Sequence, residues 1–268
     1  MSMEDRISLS IDEGVAHATL IRADKMNALD GRMFSAFVEL GETLRADPSV
    51  RAVVVSAAGK AFCAGLDTSN FMQMAGGDKG DVAREPLATR SHGVANLAQH
   101  AAWMWRELPV PVIAAVHGVA FGGGLQVALG ADMRFATPDT RFSVMEIKWG
   151  LVPDMAGTPL LRELVRGDKL RELVYSGRIF EGEEALELGI VTRLCDDPLA
   201  DAMATAREIA GRNPDAIRAN KRMLNALSDR TIEEALIAES EEQDRIIGKP
   251  NQVEAVMAEM EKRPARFS

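Results

Sequence analysis

A chain of 268 residues can bury a full core, so one large α/β domain, or one domain with an appendage, needs no disulfide staples. With 47% hydrophobic and 26% charged residues and no low-complexity tract, the composition excludes a disordered or fibrous chain. The formal net charge of −9 argues against a general affinity for nucleic acid or acidic membranes, and two cysteines, Cys63 and Cys195, are too few for a disulfide framework.

The first seven residues are polar and include acids, unlike the basic start and apolar run of a signal peptide, and no stretch reaches the length of a membrane span. A cytoplasmic protein is the expectation. Residues 7–11 and 15–21 read as a hairpin turning at Asp12-Glu13-Gly14. Residues 30–45 carry helical spacing through Met33, Phe34, Phe37, Leu40 and Leu44, and Asp47-Pro48 closes that helix. The apolar run 52–56 is typical of a buried strand, and this β-α-β order implies a parallel sheet. Residues 71–90, rich in Gly, Asp, Lys and Arg, read as a mobile surface loop. A helix through Leu97, Trp103 and Trp105 follows, then a buried strand over 109–116, a short helix over 125–129 and a return to strand over 132–136. From 199 to 262 nearly every residue is a helix former. Helices are expected over 202–210, 214–227 and 231–247. These patterns divide the chain into a spiral-like α/β core, 1–198, and a helical region, 199–268.

Two glycine-bearing turns are candidates for chemistry: Ala61-Phe-Cys-Ala64-Gly65-Leu66-Asp67 and His117-Gly118-Val-Ala-Phe-Gly122-Gly123-Gly124-Leu-Gln126. Glycine permits positive φ and close approach of the backbone to a ligand, and it serves equally in a tight turn that packs a helix on a sheet; in the ligand reading Ala64, Gly65 and Gly122 are the contacts. The second turn opens a helix, whose first N–H groups lack intrahelical partners and sit at the positive end of the dipole. Neither turn fits the dinucleotide or P-loop glycine patterns.

Taken with Phe142-Ser-Val-Met-Glu146-Ile, Gly150-Leu-Val-Pro153, Leu173-Val-Tyr-Ser-Gly177 and Pro214-Asp-Ala-Ile-Arg-Ala-Asn-Lys221, these segments resemble, in order over nearly the whole chain, the signatures of the enoyl-CoA hydratase/isomerase (crotonase) family. The resemblance implies an α/β fold, a crotonase-like spiral of ββα turns with a C-terminal helical trimerisation region. It also implies acyl-CoA thioester substrates, a homotrimer or hexamer, and no cofactor beyond the coenzyme A of the substrate. No metal, nucleic acid or membrane partner is expected. The resemblance assigns an oxyanion hole to the N–H groups of Leu66 and Gly123, each such donor being worth ~3 kcal/mol to the transition state.

Family hydratases place one carboxylate three residues after the oxyanion-hole glycine and a second twenty residues further on. Here those positions are Gln126 and Glu146. An amide can orient water but cannot carry a proton near neutral pH, so Glu146 stands alone. Asp154, eight residues later, is a candidate second acid, as in dienoyl-CoA isomerases. Those enzymes also keep an acid at the position of Gln126, so the match is incomplete. Asp154 also suits a plain Pro-Asp turn.

Trp149, three residues after Glu146, is a candidate wall of the acyl pocket, whereas Trp103 and Trp105 read as core. Asp67 reads as the N-cap of a helix through Phe71. Cys63 reads as structural, and His17, His92, His100 and His117 lack metal-ligand spacing. Lys60 and either Arg22 or Lys25 are candidates for the CoA phosphates. The reading favoured is an isomerase that shifts the double bond of an enoyl-CoA or dienoyl-CoA through an enolate. Its rivals are a hydratase in which Gln126 orients water beside Glu146, and a catalytically silent acyl-CoA-binding protein.

Overall fold

The computed structural model describes residues 3–76 and 86–268. Strands β1 (Ile7–Asp12) and β2 (Val15–Leu20) pair antiparallel in the register Ile7 to Leu20, across a turn in which Glu13 and Gly14 both have positive φ. That is the turn whose twist matches a two-residue hairpin. Asp30 accepts a hydrogen bond from the Met33 N–H and so caps helix α1 (Gly31–Ala46), which buries Phe34, Phe37, Leu40 and Leu44. Strand β3 (Ala52–Ala57) then runs parallel to β2.

Helix α2 (Thr68–Ala75) occupies the start of the segment read as a loop, because Asp67 accepts from the Ser69 N–H and organises its first turn. The rest of that expectation falls largely on 77–85, outside the described residues. Helix α3 (Leu97–Glu107), strand β4 (Val112–Val116), strand β5 (Val119–Phe121), helix α4 (Gly123–Leu129), strand β6 (Met133–Ala136) and strand β7 (Arg141–Ser143) follow. A 3₁₀ turn (Glu146–Trp149) leads through helices α5 (Gly157–Arg162) and α6 (Gly167–Ser176), strand β8 (Phe180–Glu181) and helix α7 (Gly182–Glu187) to strand β9 (Arg193–Leu194). Helices α8 (Pro198–Ala210), α9 (Pro214–Ala226), α10 (Ile232–Ile246) and α11 (Pro250–Glu261) complete the chain.

The main sheet has the order β1-β2-β3-β4-β6-β9, parallel from β2 onward, and a second sheet orders β5-β7-β8. Strands β3 and β4 are apolar on both faces because both are covered. Val53, Val55, Val112 and Ala114 face a core shared with α1, α3 and α4, while Ala52, Val54, Ile113 and Ala115 face α8. Helix α8 meets the sheet through Ala202, Ala206 and Ala210, spaced four apart on one face; their small side chains permit close approach. Helix α8 spans the start of the helical region expected over 199–268. Helix α8 closes the second face of the sheet and belongs to the core.

Helix α9 is tied in as well. Its buried Lys221 donates to the Trp105 and Val110 carbonyls and pairs with Asp132 at 2.9 Å. Among the described residues no helix is long and apolar enough to cross a membrane.

Candidate active site

Two chain crossings build the site. The segment 26–29 pairs with 64–67: the Ala64 N–H donates to the Met26 carbonyl, the Leu29 N–H to the Gly65 carbonyl and the Asp67 N–H to the Leu29 carbonyl. The alternation leaves the Leu66 N–H facing the other way, and among the described residues it donates to no backbone carbonyl. Gly65 sits at φ 93°, and a Cβ there would lie 2.7 Å from the Phe121 carbonyl oxygen, so only glycine fits the crossing. The same Cβ would lie 3.7 Å from the Gly123 nitrogen, which brings the two glycine turns face to face. Gly122, at φ 50°, turns the chain into α4, and the Gly123 N–H likewise has no carbonyl partner among the described residues.

Glu146 begins the 3₁₀ turn that follows β7 and is 9% exposed. Its Oε1 accepts a 2.6 Å hydrogen bond from Gln126 Nε2, while its buried Oε2 has no partner among the described residues. Burial raises its pKa above the ordinary carboxylate range; the neighbouring charge of Asp154 raises it further, while the Gln126 donor opposes the rise. Asp154 opens onto the same cavity, yet crowding by protein also raises its pKa. Gln126, on α4, turns its Oε1 to the Met155 and Gly157 N–H groups, each at 2.8 Å. That oxygen is thus occupied by backbone donors, so only the amide nitrogen of Gln126 has a hydrogen left to offer a water.

All nine residues singled out in the sequence line one cavity of about 910 Å³: Ala64, Gly65, Leu66, Gly122, Gly123, Gln126, Glu146, Trp149 and Asp154. Trp149 stacks on Phe71 of α2 with ring centroids 4.2 Å apart, forming an apolar wall near Glu146. Phe71 and Met155 also line the cavity and were missed, because nothing in the linear pattern brings α2 or the residue after Asp154 to this wall. Exposed Lys25 and Lys60 stand on the cavity rim, but Arg22 is corrected as a phosphate ligand. Its guanidinium pairs with Asp67 at 2.6 Å and donates to the Ala28 carbonyl, bracing the crossing that carries Leu66.

Cys63 is fully buried, donates to the Asn27 carbonyl, and its thiol is pushed up to about 12 by burial, which suits packing rather than nucleophilic chemistry. The four histidines fall at three places. His17 contacts Ser56, His92 stacks on His100, and His117 meets the Gly59 carbonyl.

A family model described as enoyl-CoA hydratase/isomerase matches residues 10–268. The chain is 35% identical over 263 residues to a probable enoyl-CoA hydratase of Mycobacterium tuberculosis, covering 97% of this chain and 98% of that protein. It is 31% identical over 265 residues to the mitochondrial Delta(3,5)-Delta(2,4)-dienoyl-CoA isomerase of Mus musculus, covering 96% of this chain and 80% of that one. The crystal structure of an enoyl-CoA hydratase from Bacillus anthracis superposes with a TM-score of 0.87 at 26% identity, covering 98% of each chain. An unbroken match of sequence and fold along nearly the whole chain leaves one conclusion: this protein belongs to the enoyl-CoA hydratase/isomerase (crotonase) family.

Proposed function

We propose that the protein is an enoyl-CoA isomerase, and the observation that carries this reading is the buried Glu146, whose Oε2 has no partner among the described residues, sharing a cavity with two backbone N–H groups that likewise meet no carbonyl there. The thioester oxygen of a 3-enoyl-CoA accepts hydrogen bonds from the Leu66 and Gly123 N–H groups. Glu146 Oε2 removes a proton from C2, and the electron pair spreads through the C3–C4 double bond into the carbonyl as a dienolate. Charge develops on the thioester oxygen only as the proton leaves, so both donors act mainly on the transition state. The protonated Glu146 then delivers its proton to C4, leaving a 2-enoyl-CoA and a regenerated carboxylate. A raised pKa makes Glu146 a stronger base than an ordinary glutamate.

If Asp154 shares the transfer, the same machinery moves the double bonds of a 3,5-dienoyl-CoA, with removal at C2 and delivery at C6. The Phe71–Trp149 wall suits the apolar acyl chain, and Lys25 and Lys60 suit the CoA phosphates. The reaction as written uses no cofactor beyond the coenzyme A of the substrate.

Hydration of a 2-enoyl-CoA is the second reading, supported by the hydratase names of several relatives. It lacks a second proton carrier at residue 126. Incubation with 3-enoyl-, 2-enoyl- and 3,5-dienoyl-CoA, with the products identified, tests the choice. We expect 2-enoyl- or 2,4-dienoyl-CoA to accumulate; rapid formation of 3-hydroxyacyl-CoA with negligible isomerisation overturns the isomerase reading.

A further inference from the structure

We infer that Gln126 is a positioning residue, a brace that donates to one oxygen of Glu146, leaves the other to do the work, and fixes the Glu146 turn against the Asp154 segment; the inference rests on Glu146 as the proton carrier. Residues 126, 146 and 155–157 belong to three separate elements, and one side-chain amide joins them. The Met155 and Gly157 N–H groups can only donate, so the atom facing them at 2.8 Å must be the amide oxygen. The amide nitrogen is thereby compelled to face Glu146, whose Oε1 it meets at 2.6 Å. The orientation follows from backbone donors and leaves no amide flip open.

Three consequences follow from this clamp. Oε1 of Glu146 is held, so Oε2 is the oxygen without a partner and the one available to a substrate proton. The two lone pairs of the Gln126 oxygen are taken, so this side chain cannot accept a hydrogen bond from a water about to attack. A donor at Oε1 also favours the ionised carboxylate and opposes the effect of burial. An acid at residue 126 would meet the same two N–H groups and would face Glu146 oxygen to oxygen, which is tolerable only with a shared proton. The amide thus lets Glu146 ionise alone, as a one-base isomerisation requires.

Neighbouring glycines are shaped around the brace. A Cβ on Gly157 would lie 2.6 Å from Gln126 Oε1, and a Cβ on Gly122 would lie 3.2 Å from Glu146 Oε1. Gly157 has no positive φ, so an alanine there disturbs the brace by contact rather than through backbone strain. It displaces the Gln126 amide while leaving the sequence of both residues 126 and 146 unchanged.

The test compares the full-length wild type with Gln126→Met, Gly157→Ala and Glu146→Gln, each checked for folding by circular dichroism and thermal melting. The carboxyl of Glu146 is titrated by NMR with ¹³C-labelled glutamate, its resonance assigned by its loss in Glu146→Gln. Turnover of 3-hexenoyl-CoA is followed in parallel. In Gln126→Met and Gly157→Ala the Glu146 pKa should move up, and the acidic limb of kcat should move to higher pH with it. At the optimum kcat should fall ~10–100-fold while KM changes less than ~3-fold, because the proton carrier is misplaced and substrate contacts persist. A Glu146 titration unchanged from wild type in either folded variant overturns the brace. Failure of the isomerase reading shows separately, as normal turnover by Glu146→Gln, and leaves the titration readout intact.

Discussion

Burying Glu146 raises its pKa, and this acts on activity and stability with opposite sign. The base must be ionised, so kcat should fall as pH drops through its raised pKa, above the ordinary value of about 4.3. For an acid with a raised folded pKa, stability is greatest where both states are protonated and declines as pH rises through the folded pKa. Glu146→Gln should therefore lose ~10²–10⁴-fold in kcat yet melt higher than wild type at pH 8, with the gain vanishing near pH 4. Melting curves at the two pH values check it; a variant less stable at pH 8 counts against a buried charge. Gly123→Pro removes an N–H and should weaken transition-state binding by ~3 kcal/mol, read as kcat/KM in a variant shown to be folded. Gln126→Glu adds the second carboxylate, and we expect hydration of 2-enoyl-CoA to rise ~10–100-fold over wild type in a product assay.

Among the elements, α8 and α9 differ from an appendage in what they touch. The alanine face of α8 seals one side of the sheet, and α9 sends Lys221 through to the end of α3 and the strands beyond it. The Lys221 ammonium is buried and has three acceptors, one of them the Asp132 carboxylate, which also accepts from the Val112 N–H. Burial lowers the Lys221 pKa, with Asp132 opposing. Lys221→Met keeps the apolar stem but strands two carbonyls and a carboxylate, so unfolding in urea should show a loss on the order of 3 kcal/mol. A loss below ~1 kcal/mol would mean that α9 is held by its other contacts. The crossing that carries Leu66 depends on elements in the same way: Arg22 and the Asp67 cap lock α2 and segment 26–29 around it.

The whole molecule leaves apolar residues uncovered at its C-terminal end. On α10 and α11, Ile232 is 82%, Leu236 58% and Met260 76% exposed. Ile232, Leu236 and Ile237 line one shallow depression on α10, an apolar surface of the kind that marks an interface. We propose a homotrimer, or a hexamer made from two, with these helices at the contact. Light scattering at micromolar concentration should return at least three times the 29.0 kDa chain mass. Leu236→Glu should shift the population toward monomer; a monomeric wild type removes the proposal.

The sequence by itself determined the features that depend on short-range pattern. The spacing of Phe34, Phe37, Leu40 and Leu44 specifies α1, and the apolar runs of β3 and β4 specify strands covered on both faces. Gly65 and the Gly122–Gly124 run marked where the backbone turns at the cavity, since positive φ and close approach are local demands on residue type. Glu146 was legible through the family resemblance, which puts a carboxylate at that distance from the run. Strands β5, β7 and β8, of two or three residues, are too short to carry a period, and their pairing exists only once β5 and β7 are brought side by side. Arg22 illustrates the same limit: a lone basic residue looks like a phosphate ligand until folding sets Asp67 against it. Gln126 shows it most sharply. As a residue type it is both donor and acceptor, and only the packing of α4 against the 155–157 backbone spends its oxygen there and turns its nitrogen to Glu146. Local pattern fixes what a side chain is able to do; which of its atoms remain free is set by neighbours distant in sequence.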